Sequence, residues 1–139
     1  VRRFGLTLVD LLLGICLTTM LLAIALQGAG ALRDGLAVHA AARAVRDAFA
    51  LAREQAVAGG ARTAVRFGRL DGSVTVHQEG DSLLRLPLGR THGVTLDATR
   101  DSMAYLPSGL GYGGANLRVV LRRGARADSI TVSRLGRVR

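Results

Sequence analysis

One apolar run constrains this chain more than anything else in it. It extends from Leu6 to Leu26, directly behind the basic pair Arg2-Arg3. A helix of those 21 residues would be roughly 31 Å long, enough to cross the hydrocarbon core of a bilayer. The rest of the 139-residue chain, about 110 residues, suffices for one domain with a modest core. With no Trp, three Phe and two Tyr, that core must be built mostly from Val, Leu and Ala. A single carboxylate, Asp10, interrupts the run. At the centre of a spanning helix it would cost ~2.5–3.5 kcal/mol, and somewhat less at this shallow position.

Three readings compete for this segment. A Sec signal peptide would use Ala23-Ile24-Ala25 as its small-x-small cleavage site. A twin-arginine export signal would use Arg2-Arg3. The third reading is a retained helix with a cleavage point in front of it. Asp10 separates them, because a signal peptide gains nothing from a carboxylate there. If the chain is cut after Gly5, the new α-amine of Leu6 lies four residues from Asp10. The two charges can then pair within one chain or between neighbouring helices.

Gly5-Leu6-Thr7-Leu8-Val9-Asp10-Leu11-Leu12 resembles the prepilin motif of type IV pilins and type II secretion pseudopilins. The resemblance implies cleavage after Gly5 by a prepilin peptidase and N-methylation of Leu6. It also implies that Asp10 pairs with a neighbour's N-terminus during assembly. Leu6 stands where the motif usually has Phe, Asp10 where it usually has Glu, and Gln27 where many relatives have a kinking Pro. Gly28 and Gly30 are nearby to loosen the helix instead. Charge alone leaves topology ambiguous, since Arg2 and Arg3 precede the span and Arg33, Arg43 and Arg46 follow it. The resemblance implies a single-pass inner-membrane protein with its C-terminal domain in the periplasm, partnered by other pilin or pseudopilin subunits.

From Val38, apolar residues recur at Ala42, Val45, Phe49, Ala52 and Ala56, the stripe of one helix face. His39, Arg43, Arg46, Asp47, Arg53 and Glu54 occupy the other side, read as a solvated face, with Arg43 and Asp47 at a supporting spacing. Gly59-Gly60 should end the helix. The segment from Ala41 to Ala56, with its Leu-Ala-Arg-x-x-Ala core at 51–56, resembles the helix of GspH/FimT-type minor pilins and pseudopilins.

Beyond Gly60 the period becomes two. Thr63, Val65 and Phe67 alternate with Arg62, Ala64 and Arg66, and Leu70-Asp71-Gly72 signals a hairpin into Ser73–Gln78. Further strands are expected near Leu83–Leu88, Val94–Ala98, Met103–Leu106, Leu117–Arg122 and Ser129–Arg134. The expected fold class is α+β and type IV pilin-like: one long N-terminal helix packed on an antiparallel β-sheet domain. Its parts are the end of a leader (1–5), an assembly helix (6–27) and a periplasmic domain (28–139). That domain comprises an amphipathic helix (31–58), a β-rich part (61–135) and a basic tail (136–139).

Nothing in the sequence assembles into a catalytic constellation or a cofactor site. His39, His77 and His92 are scattered, and Cys16 lies in the apolar run, where it reads as packing. Asp97 and Asp101 share no fixed geometry. The glycines of 107–114 are not spaced to cradle a phosphate, so a flexible surface loop is expected there. The net charge of +9 is carried by 19 basic residues, all arginine. Between Leu117 and Arg139 they are Arg118, Arg122, Arg123, Arg126, Arg134, Arg137 and Arg139, against one acid, Asp128. Gly136 is expected to free the backbone of a mobile tail, and arginine forks suit phosphate oxygens.

Gly136-Arg137-Val138-Arg139 resembles the Gly-Arg-x-Arg end of FimT-like minor pilins, which implies binding of double-stranded DNA. With Tyr105 and Tyr112 as the only aromatics near this region, such binding should be to backbone phosphates and indifferent to sequence. Two alternatives stand beside it. One is a GspH-like secretion pseudopilin with no DNA role, and the other is a secreted domain released by an ordinary signal peptidase.

Overall fold

The structure, a computed structural model, describes residues 7–113 and 116–139. Gly5 and Leu6, the expected processing site, lie outside them. Helix α1 runs Leu8–Ala58. Its first turn is closed by a reciprocal capping pair. The Thr7 amide (3.1 Å) and hydroxyl (2.7 Å) donate to Asp10 Oδ2, and the Asp10 amide donates to Thr7 Oγ1 (3.2 Å).

The chain divides at residue 33 into two units. In the first, the leucines and isoleucines between Leu8 and Leu26 are all exposed, on a helix long and apolar enough to cross a membrane. Thr18 and Thr19, within the apolar stretch, are satisfied internally. Thr18 donates to the carbonyls of Gly14 and Ile15, and Thr19 to those of Ile15 and Cys16, as a solvent without hydrogen-bonding groups requires.

The second unit holds the core. Val38, Ala42, Val45, Phe49, Ala52 and Ala56, the expected stripe, are all buried, together with Ala41 and Ala48. The charged residues opposite are exposed as expected. Arg46 is nevertheless 3.6 Å and His39 Nδ1 3.8 Å from Asp128, so part of that face docks on a strand. The helix ends where two glycines follow, with the Gly59 amide donating to Gln55 O (2.8 Å) and Gly60 at φ 62°.

The remaining elements are β1 (Thr63–Gly68), β2 (Ser73–Gln78), β3 (Asp81–Pro87), α2 (Leu88–His92), β4 (Thr95–Ala98), β5 (Ser102–Tyr105), β6 (Gly111–Tyr112), β7 (Leu117–Arg123) and β8 (Arg126–Val132). They form two antiparallel sheets, in the orders β3-β2-β1-β5-β6 and β4-β7-β8. A single core cluster joins the inner faces of both to α1.

Four details differ from expectation. The strands divide into two sheets. Part of the expected flexible loop pairs as β6, Ala104 with Tyr112 and Tyr105 with Gly111. The expected strand to Leu88 gives way to α2, because Pro87 ends β3 and Gly93, at φ 63°, caps the single turn. Finally, β8 starts at Arg126, because Gly124 at φ 54° permits a two-residue turn that pairs Arg123 with Arg126.

The Thr63 hydroxyl is buried without a hydrogen-bond partner. Valine has the same shape and no polar group to satisfy. Thr63→Val should therefore stabilise the domain by about 1 kcal/mol, a rise of roughly 4 °C in the midpoint of thermal unfolding.

Candidate nucleic-acid interface

Alternation sorts the seven C-terminal arginines. In β7, Leu117, Val119 and Leu121 face the core, so Arg118, Val120 and Arg122 face outward. In β8, Ile130 and Val132 are buried, and Ala127, Ser129 and Thr131 lie outward beside the β7 row. Thr95 and Asp97 of β4 complete this face, opposite Arg122 and Val120.

The chain after β8 does not fray. Ser133–Arg137 forms a tight hairpin: the Gly136 amide donates to Ser133 O (2.9 Å), the Ser133 amide to Arg137 O (2.9 Å), and the Arg137 amide to Ser133 Oγ (3.1 Å). Gly136, at φ 80°, holds the left-handed position that such a three-residue loop needs. The returning strand then pairs with β8. Thr131 and Arg139 exchange amide-to-carbonyl bonds, both at 2.9 Å, and Val138 bridges Val132.

Tyr105 fixes this hairpin from below. Its ring is buried and its hydroxyl donates to Gly136 O at 2.9 Å. A Cβ on Gly136 would lie 2.5 Å from the ring and 3.1 Å from the Gly111 amide nitrogen. Glycine is therefore required at 136 by close approach as well as by backbone conformation. The expectation of a mobile tail is corrected, because the residues that should be free turn back and are bonded to the end of β8. Tyr105, one of the two aromatics near this region, is consumed by the core. Tyr112 remains half exposed, with the Arg62 guanidinium 4.7 Å from its ring centroid.

The pairing brings Arg118, Thr131 and Arg139 into one cross-strand row. At about 4.8 Å per strand, the Cα atoms of Arg118 and Arg139 are about 10 Å apart. Arg137 lies two residues along the same exposed side of the tail, and Arg122 four residues from Arg118 on β7. These four arginines share the outer face with one carboxylate, Asp97.

The other three stand apart. Arg123 faces inward, its Nε 2.9 Å from Asp34 Oδ1 and its guanidinium donating to the carbonyl of His92. It braces α1 and α2 against β7 and is corrected from ligand contact to strut. Arg126 lies at the start of β8 and Arg134 in the terminal turn, both exposed. Ser129, Thr131 and Val120 also belong to the face, and neither they nor the hairpin that brings the tail to it was expected from the sequence. Gly136 flanked by Val132 and Val138 was the available signal.

No metal-ligating cluster of three or more His, Cys, Asp or Glu occurs among the described residues. A long helix packed on antiparallel sheets, with an apolar N-terminal half, defines the molecule as a pilin-like α+β subunit. The profile of the family described as type II transport protein GspH matches residues 41–136, and the chain belongs to that family. Members of this family are structural pilin-type subunits and not enzymes.

Among solved structures, the type IV minor pilin FimU of Pseudomonas aeruginosa is similar at a TM-score of 0.62 and 12% identity, over 73% of this chain and 86% of that one. The minor pseudopilin EpsH from the type 2 secretion system of Vibrio cholerae is similar at a TM-score of 0.60 and 17% identity, over 73% of this chain and 94% of that one. No curated protein sequence matches. The family match and the common fold confirm the resemblance to GspH/FimT-type minor pilins and pseudopilins.

The Tyr105–Gly136 contact has two measurable consequences. Gly136→Ala should release the tail, seen as at least tenfold faster hydrogen exchange at the Arg139 amide, since left-handed backbone alone costs a non-glycine residue about 1–2 kcal/mol. Burial also pushes the Tyr105 phenol up, an effect partly opposed by the nearby Arg53 charge. A raised value means the contribution is complete below the free-tyrosine pKa of about 10 and is lost as pH rises through the folded one. Thermal unfolding should thus drop above about pH 10 in the parent. Tyr105→Phe should be less stable at neutral pH and lack that additional loss.

Proposed function

We propose that this chain is a membrane-anchored minor pilin or pseudopilin that binds double-stranded DNA without sequence preference through the outer face of its smaller sheet. In this reading a prepilin peptidase cuts after Gly5, Leu6 is N-methylated, and α1 is retained in the inner membrane with the domain in the periplasm. The helix then carries the subunit into a filament of other pilin or pseudopilin subunits. The observation that carries the DNA reading is the convergence of Arg118, Arg122, Arg137 and Arg139 on one solvent face. Guanidinium groups held by a sheet match phosphate oxygens without reading bases.

Asp10 has a local role that the assembly reading must accommodate. Its Oδ2 is taken by Thr7, which leaves Oδ1 for a neighbour's N-terminal amine. Two variants separate the roles. Asp10→Ala removes both the cap and the charge, whereas Asp10→Asn keeps an acceptor for Thr7 and removes the charge alone. Both should be cleaved normally and both should fail to enter filaments. Normal incorporation of Asp10→Asn would leave Asp10 as a helix cap only.

For DNA, four phosphate contacts give a slope of about −3.6 in log K against log salt. Measured with the full chain in zwitterionic nanodiscs, Arg137→Ala with Arg139→Ala should reduce that slope by about two units. Arg123→Ala should lower stability and leave the slope unchanged. Absence of binding at low salt would favour a secretion pseudopilin with no DNA role.

A further inference from the structure

Between α1 and the tail lies an open groove of about 760 Å³. The helix lines it with Arg46, Ala50, Arg53 and Val57, with Tyr105 at its base. The first and last of these helical positions are eleven residues apart, roughly 16 Å, the reach of about five residues of extended chain. One wall is the tail strand itself, from Gly136 to Arg139.

That strand has an unused edge. Residues in an antiparallel pair turn their amides alternately toward and away from the partner strand. Arg137 and Arg139 spend theirs on Ser133 and Thr131. Val138, a non-hydrogen-bonded partner of Val132, therefore turns its N–H and C=O to the groove side.

The charges around the groove are lopsided. Arg53, Arg137 and Arg139 have no ion-pair partner among the described residues, Arg46 is shared with Asp128, and Glu54 is the one acid in the lining. The floor, in contrast, is apolar: Phe49, Ala50, Val57, Tyr105 and Val138.

From this geometry we infer that the groove receives an extended segment of a neighbouring filament subunit, alternating acidic and apolar residues, which adds as a strand to the free edge of Val138. Strand addition fixes which side chains go where. Residues flanking the Val138 pairing point outward beside Arg137 and Arg139, where a carboxylate forms a cross-strand ion pair. The residues between them point inward onto Ala50 and Val57. Main-chain bonds hold the segment and the alternation selects it. A lone fatty acid would satisfy the floor and one arginine but leave the Val138 amide unpaired. This occupant shares Arg137 and Arg139 with the DNA reading but is held by the groove and the Val138 edge, which that reading does not use.

The test uses the full chain in zwitterionic nanodiscs and a blocked pentapeptide of sequence Glu-Val-Asp-Val-Glu, compared with Lys-Val-Lys-Val-Lys and with dodecanoate. The acidic peptide should bind and slow hydrogen exchange at the Val138 amide at least tenfold. Ala50→Trp fills the floor at an exposed position and should weaken the peptide at least tenfold, about 1.4 kcal/mol, while DNA binding is unchanged. Equal binding of the basic peptide, binding of dodecanoate alone, binding insensitive to Ala50→Trp, or an unprotected Val138 amide would each overturn the proposal. Binding by a second copy of this chain in place of the peptide, seen as a dimer lost in Ala50→Trp, would overturn the assignment to a different subunit.

Discussion

The domain depends on how closely one helix approaches two sheets. Ala41, Ala42, Ala48, Ala52 and Ala56 bury no bulk of their own, so the backbone of α1 comes near the strands and larger residues opposite fill the space. Phe49 is the one aromatic that the buried face of α1 contributes, its ring 6.0 Å from that of Phe67. A chain without tryptophan and with few aromatics reaches close packing by drawing elements together. The ion pairs follow from that approach. Asp34 meets Arg123, and Asp128 meets Arg46 and His39, each joining α1 to the β7–β8 hairpin.

Periodicity made the helix and the inner faces of the strands legible. Every residue of the expected helical stripe is buried, as are Thr63, Val65 and Phe67 in β1. What the pattern did not reveal was which strand pairs with which. Alternation fixes the face a residue takes but leaves its neighbours open, so two sheets read as one. Glycines were the other weak point. In sequence, Gly124, Gly136 and the glycines of 107–114 all signal flexible backbone alike. Each owes its role to a backbone approach or a positive φ that depends on the surrounding fold.

The candidate site was legible in composition and illegible in arrangement. Seven arginines near the C-terminus stand out in any reading, but they separate into four on one face, one strut and two at turns. Arg122 and Arg123 are adjacent in sequence and opposite in function, because consecutive residues of a strand face opposite ways. The buried Tyr105 hydroxyl, with its bond to Gly136, joins the site to the core and has no counterpart in any linear motif.

The pinned tail alters the entropy of whatever it binds. Fixing the backbone of one residue costs about 1–2 kcal/mol, so ordering the three residues 137–139 at the moment of contact would cost roughly 3–6 kcal/mol. Here folding has already met that cost, through the bonds to Thr131, Ser133 and Tyr105. A ligand meeting Arg137 and Arg139 has only their side chains to immobilise. A tail of the same composition on a loose backbone would bind more weakly with every contact unchanged.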